Sequence, residues 1–144
     1  MEMLRAAVGD DPVLVPSDIE VRRAGPSYTV DTLRELKASE PQAELTLLIG
    51  VDQWRELGRW KDAPAIAELA TVAVMSRSGE NPATVNPGFG VACSPVPVTR
   101  IDISSSDVRA RARQGRSILH LVPDPVRTII EREALYASPA VQHA

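Results

Sequence analysis

Two stretches of the chain hold residue types that could grip an anionic ligand. The first is "ISSSDVRARARQG", Ile103 to Gly115, where three serines precede an arginine-loaded helix. Ordinary capping explains part of it, with Ser104 as N-cap, Asp107 completing an S-x-x-D box and Gly115 as the stop. Arg109 is left over, because a cation in the first turns sits at the wrong end of the helix dipole unless an anion is held between them. Backbone N–H groups and the serine hydroxyls would form a nest, and the Arg109 guanidinium a fork for two phosphate oxygens; capping with solvent-exposed arginines is the alternative. Arg113 lies one turn further along the same face as a second candidate, whereas Arg111 is expected in solvent. The second stretch is "LLIGVD". There Gly50 would let a ligand approach the backbone, and Asp52 could accept hydrogen bonds from ribose hydroxyls. A turn glycine and a helix-capping aspartate is the alternative for that pair.

Other chemistries find no support. The sequence has no G-x-G-x-x-G, no P-loop, no paired histidines at metal spacing and no Ser-His-Asp set. His120 sits between apolar residues in "SILHLVP" and reads as a packed side chain, while His143 is in the tail. A formal charge of -3 argues against nucleic acid or a membrane surface as partner, so any phosphate site must be local. Cys93 is the single cysteine, which rules out an intrachain disulfide framework and leaves an expectation of a soluble, cytoplasmic protein with an inert thiol. No run of about 18 apolar residues could span a bilayer. With 144 residues, 44% hydrophobic, one domain is the default.

The elements that must carry these residues follow from periodicity. "MEMLRAAV" has helical spacing but no cap in front of it. "PVLVP" reads as a short strand, and Ser27 as the cap of a helix over "YTVDTLRELKAS" with Val30, Leu33 and Leu36 inward. "ELTLLIG", Glu44 to Gly50, is a nearly continuous apolar run, as for a strand covered on both faces. A short helical piece through Trp54 and Leu57 follows, and then a helix over "APAIAELA" opened by Asp62 and Pro64. "TVAVM", Thr71 to Met75, is the next buried strand. Ser76 to Pro97, rich in proline and glycine, reads as a long surface loop, with "VPV" and "RIDI" as a further extended segment. After the serine helix, Asp124 caps a last helix with Pro125 at its first position and Val126, Ile129 and Ile130 inward. Strands and helices alternate, and the strands are apolar throughout. That selects an α/β parallel sheet with helices on both faces, in which ligands bind beyond the carboxyl ends of the strands.

Four segments together carry a resemblance: "GPSYTVDTL", "LLIGVDQWRELGRW", "TVAVMSR" and "ISSSDVRARARQGRSILHLVPDPVRTIIEREALY". In this order and spacing they resemble bacterial nicotinate-nucleotide adenylyltransferases of the nucleotidyltransferase superfamily. The resemblance implies a Rossmann-like sheet and adenylyl transfer from ATP, with Mg2+ on the triphosphate, to nicotinate mononucleotide. It implies ATP-phosphate contacts for Ser104, Ser106 and Arg109, and ribose contacts for Gly50 and Asp52. Tyr28 and Thr29 match a segment near the nicotinate, Trp60 an aromatic stacked on the pyridine ring, and Arg77 an arginine near the bound nucleotides. Threonine is the commoner family residue at Ser106, and Lys61 stands where many relatives place a second aromatic.

The family pattern opens with a strand leading into G-x-F-D-P-x-H-x-G-H, a second strand and a basic loop, which this sequence does not contain. The expectation is a chain truncated at its N-terminus, lacking the first strand or strands and the two-histidine loop. Its incomplete domain would run over residues 1–136 and a frayed tail over 137–144. Loss of one preorganised donor typically costs about 10²- to 10³-fold in rate, so a poor catalyst is expected. An exposed sheet edge would favour self-association or a homo-oligomer. Two alternatives stand beside this reading: a nucleotide-binding remnant without turnover, and an adenylyltransferase for another acceptor such as phosphopantetheine.

Overall fold

The computed structural model describes residues 1–76 and 81–137. Its elements are α1 (Glu2–Val8), α2 (Thr29–Ser39), β1 (Thr46–Gly50), α3 (Val51–Glu56), α4 (Ala63–Leu69), β2 (Thr71–Ser76), β3 (Ser94–Pro97), α5 (Ser105–Arg113) and α6 (Asp124–Arg132). They group into two compact units, Ile19–Arg100 and a second made of Met1–Asp18 with Ile101–Ala144.

The Ile19–Arg100 unit holds the expected parallel sheet, in the order β1-β2-β3. Thr46 pairs with Thr71 and Gly50 with Met75 across β1 and β2; Ala73 pairs with Ser94 and Ser76 with Pro97 across β2 and β3. The central strand is the apolar one: Val72, Ala73 and Val74 are all buried. β3 carries Pro95 and Pro97, which cannot donate to a ladder and are tolerated because this strand has one neighbour among the described residues. β1 also has one neighbour among the described residues, and here the sequence expectation needs correction. Leu48 is 54% exposed while Ile49 is buried, so β1 is covered on one face and not on two.

The core of this unit gathers Val30 and Leu33 of α2, Ile49, Trp54, Leu57, Ile66, Val72 and Val74. Two devices pin loops to it. Arg23 donates to Thr32 Oγ1 at 2.9 Å and pairs with Glu35 at 2.8 Å, tying the connection before α2 to that helix. Of the segment read as a surface loop, residues 81–97 are described; they run along the surface and also set several side chains against the core. Trp54 Nε1 donates to the carbonyls of Pro82 and Val85, and Val85, Phe89, Val91 and Cys93 pack against the buried cluster. A short 3-10 turn over Pro82–Thr84 and strand β3 also lie in this segment. An indole N–H must find an acceptor when buried, and the loop carbonyls supply it.

In the other unit, Val126, Ile129 and Ile130 of α6 are buried as the sequence spacing requires. Val108, Ile118, Val126 and Ile130 form its core, with Met3 and Ala6 of α1 packed against it. Arg132 and Glu2 close the α1 and α6 pair at 2.7 Å. α1 has no side-chain cap, as expected. α5 ends as the sequence indicates, with Gly115 at a φ of 65°. The amide of Gly115 reaches Ala112 O and that of Arg116 reaches Arg111 O, the paired bonds of a Schellman stop.

Several local expectations shift. "PVLVP" forms no strand, and Val13 and Val15 are more than four-fifths exposed. The N-cap of α2 is Tyr28, while Ser27 Oγ donates to the Glu20 carbonyl. The N-cap of α6 is Pro123, which puts Asp124 inside the first turn. His120 is exposed at a φ of 63° and is not a packed histidine.

Candidate functional site

The carboxyl end of β1 runs directly into α3, so Gly50 is both the last strand residue and the helix N-cap. Its φ of -79° is open to any residue, and a Cβ built there would meet nothing within 4 Å. The glycine is therefore required neither by its turn nor by its neighbours, and it leaves bare backbone beside open space. Asp52 follows in the first turn of α3, with its side chain 89% exposed and its Oδ1 3.0 Å from Arg55 Nη1.

The start of α2 and the residues after α3 meet through side chains. Lys61 Nζ lies 4.5 Å from the centroid of the Tyr28 ring and 2.7 Å from Asp31 Oδ2. Arg34 approaches the other oxygen of Asp31 at 3.6 Å and also pairs with Asp62. Lys61 foremost, partly opposed by desolvation, holds the Asp31 carboxyl below its ordinary value. Trp60, next to Lys61, is half-buried against the core, while Tyr28 is exposed and Thr29 partly covered. Two sequence-predicted residues, Tyr28 and Trp60, are thus flanked by a cation that sequence reading noted only as a departure. The signal was available in the spacing: Asp31 stands three residues after Tyr28, where a helix brings both to one side. Arg77 lies outside the described residues.

Trp54 and Gly58 were not singled out from sequence, yet they fix the segment that carries Trp60. The Gly58 amide donates to Pro87 O at 2.9 Å, and a Cβ on Gly58 would collide with that oxygen. Close approach of two backbones leaves no motif that a pattern can find.

In the other unit, Ser104 caps α5 and its hydroxyl accepts from the Asp107 amide at 3.1 Å. The reciprocal half of the expected box is replaced: Asp107 Oδ2 takes Arg111 Nε at 2.9 Å, so Arg111 is tied down rather than solvated. Arg109 is exposed, and its Nη2 reaches Ser106 Oγ at 3.3 Å. Among the described residues no carboxylate pairs with Arg109 or Arg113, which leaves two guanidinium groups one turn apart on α5 able to take an external anion. Arg109 borders an apolar recess of about 340 Å³ lined by Met3, Ile103, Val108, Leu121 and Val126. Burial pushes the Cys93 thiol up, away from the reactive thiolate. Among the described residues no three His, Cys, Asp or Glu side chains cluster to hold a metal ion.

The sequence profile of the family described as cytidylyltransferase-like matches residues 1–111. A probable nicotinate-nucleotide adenylyltransferase of Thermus thermophilus is 38% identical over 140 residues, covering 94% of this chain and 70% of that protein. The chain belongs to this cytidylyltransferase-like family, among the nicotinate-nucleotide adenylyltransferases. The probable nicotinate-nucleotide adenylyltransferase of Exiguobacterium sibiricum is likewise 38% identical over 138 residues, with 96% of this chain and 71% of that protein covered. Among solved structures, a Plasmodium falciparum nicotinic acid mononucleotide adenylyltransferase complexed with NaAD matches at a TM-score of 0.63 and 16% identity. That match covers 78% of this chain and 58% of the other, and it speaks for the fold alone. A Rossmann-like nucleotidyltransferase fold is thus what the parallel β1-β2-β3 sheet belongs to. Among the described residues of this adenylyltransferase-family chain, no helix is long and apolar enough to cross a membrane.

Proposed function

We propose that this chain transfers the adenylyl group of ATP to nicotinate mononucleotide, giving deamido-NAD and pyrophosphate, as a step of NAD biosynthesis. The observation that carries the reading is the likeness to relatives bearing that name along nearly the whole chain. The exposed Arg109 guanidinium beside a serine-capped helix start supports it with independent chemistry.

In the proposed reaction a phosphate oxygen of nicotinate mononucleotide attacks the α-phosphorus of ATP, and the bond from that phosphorus to the β-bridging oxygen breaks. Such a transfer needs positioning and charge stabilisation more than covalent chemistry. Ser104, Ser106 and Arg109 are assigned to the ATP phosphates, where hydroxyls, amides and a bidentate fork offset developing charge. Gly50 and Asp52 are assigned to the nucleotide ribose, the first by exposing backbone and the second by accepting from hydroxyls. Tyr28, Thr29, Trp60 and Arg77 are assigned to the nicotinate nucleotide, with Trp60 offering a ring face to the pyridine. Mg2+ enters with the triphosphate and, when bound, offsets the charge of the leaving pyrophosphate. The adenylyltransferase domain is assigned to residues 1–136, with 137–144 outside it, and the reaction to the cytoplasm, which supplies ATP.

The test is to incubate the chain with ATP, Mg2+ and a panel of acceptors, and to follow pyrophosphate release beside calorimetric binding. Turnover with nicotinate mononucleotide supports the reading. Turnover with phosphopantetheine alone, or binding of both nucleotides without any pyrophosphate, contradicts it in favour of another acceptor or a binding remnant.

A further inference from the structure

Trp60 is held from its two sides by unlike means. Two residues before it, the Gly58 amide is bonded to the Pro87 carbonyl, a contact between backbones. Just after it, consecutive side chains reach over to α2 with opposite charges: Lys61 Nζ lies 2.7 Å from Asp31 Oδ2, and the Asp62 carboxylate takes Arg34 Nη2. Asp31 and Arg34 stand three positions apart and so share one side of the helix. Asp62 is also the N-cap of α4, with a left-handed backbone at φ 51° and ψ 49°. That conformation disfavours any residue with a Cβ, and aspartate tolerates it chiefly when its side chain bonds to nearby backbone. Asp62 makes no capping hydrogen bond to α4; its carboxylate is turned to Arg34 instead. The pair is 49% exposed at Arg34 and 43% at Asp62, so it adds little to stability. Neither capping nor stability accounts for a strained aspartate at this spot, and strain of this kind gathers at ligand-binding segments.

We propose that Asp62 is a positioning residue: through Arg34 it fixes the turn over residues 60–62 on α2 and so sets the Trp60 ring in place before a nucleotide arrives. The inference rests on the assignment of Trp60 to the pyridine nucleotide. With Gly58 locked to Pro87, the freedom left to Trp60 lies in the turn that follows it, and the Asp62–Arg34 pair removes that freedom. A ring ordered in advance spares the ligand the cost of ordering it. Glycine occupies a left-handed backbone without strain. Replacing Asp62 by glycine therefore relieves the backbone and releases the turn at once, so stability and affinity should move apart.

The test is calorimetric titration of the full chain with nicotinate mononucleotide, and separately with ATP and Mg2+, for the parent, Asp62→Gly, Arg34→Met and the double variant. Each single substitution is expected to weaken the mononucleotide about three- to tenfold and to leave ATP unchanged. Because the two residues act through one contact, the double variant should lose no more than Arg34→Met alone. The melting temperature of Asp62→Gly should equal or exceed that of the parent, which a merely structural role would not produce. Acrylamide quenching adds a readout that needs no ligand: Trp54 is 1% exposed, so the quenched emission is that of Trp60, and quenching should rise in Asp62→Gly. Unmoved mononucleotide affinity, unmoved quenching, an equal loss of ATP affinity, additive losses or a lower melting temperature in Asp62→Gly each overturns the positioning role and leaves the adenylyl-transfer reading standing. A parent chain that does not bind nicotinate mononucleotide overturns both.

Discussion

Gly58 and Pro87 are locked backbone to backbone. The Gly58 amide donates to the Pro87 carbonyl at 2.9 Å, and there is no room for a Cβ between them. Together with the Trp54 bonds to Pro82 and Val85, this contact makes the 82–89 segment a strap across the residues that lead to Trp60.

Gly58→Ala is therefore expected to destabilise the chain by about 1–3 kcal/mol, since backbone must shift to admit the methyl group. Trp54→Phe, which keeps the ring but removes the buried donor, is expected to cost about 1–3 kcal/mol, since the Val85 carbonyl loses the indole while the Pro82 carbonyl keeps the Val85 amide. Urea denaturation of both variants checks this. An unchanged midpoint for Gly58→Ala would remove the strap from the account.

Gly50→Ala makes the contrasting case. Its added Cβ meets nothing within 4 Å, so stability should change by under about 1 kcal/mol, while ATP binding weakens because the ligand loses bare backbone. Calorimetry beside a melting curve separates the two effects; full affinity in this variant would remove Gly50 from the site.

Asp31 links α2 to Lys61 and sets an acid limb. Its folded carboxyl is held below the ordinary 3.8, so its stabilising contribution is present above that pH and is lost as pH falls through the lower folded value. The melting temperature of Asp31→Asn should therefore lie below that of the parent at neutral pH and converge with it in strong acid. Parallel curves across the whole range would contradict the Lys61 pairing.

The exposed edge of β1 carries a prediction about association. Leu48 is 54% exposed on a strand that pairs only with β2 among the described residues. Unpaired backbone beside an apolar side chain templates pairing with another chain. Sedimentation velocity should show concentration-dependent self-association that Leu48→Lys reduces. A parent chain that stays monomeric at all concentrations would contradict this.

How far the sequence reaches differs from element to element. α6 and the Gly115 stop were legible because their signals are local: Val126, Ile129 and Ile130 repeat at helical spacing, and a glycine follows the last turn. β2 was legible because its centre, Val72 to Val74, is a continuous buried apolar run. "PVLVP" has the composition of a strand but no partner, and pairing is not written in a single segment. β1 reads like β2, and only the strand order shows that Leu48 is uncovered. At the site, Ser104 as a cap follows from spacing, whereas Lys61 over Tyr28 joins residues about thirty positions apart and needed the fold. The strap from Pro82 to Phe89 was hidden for the same reason: proline and glycine mark a loop without saying what it lies on.

The claim on which the rest depends is that the Arg109 guanidinium and the serine-capped start of α5 take the phosphates of ATP. Calorimetric titration of ATP with Mg2+ into the parent chain and into Arg109→Ala tests it most directly. Because Arg109 is exposed and, among the described residues, bonded only to Ser106, the substitution should leave stability within about 0.5 kcal/mol. The predicted result is saturable binding by the parent and an affinity about 10- to 100-fold weaker in the variant, the loss of a charged hydrogen-bonding partner. Equal affinities for parent and variant, or no ATP binding by the parent, would contradict it.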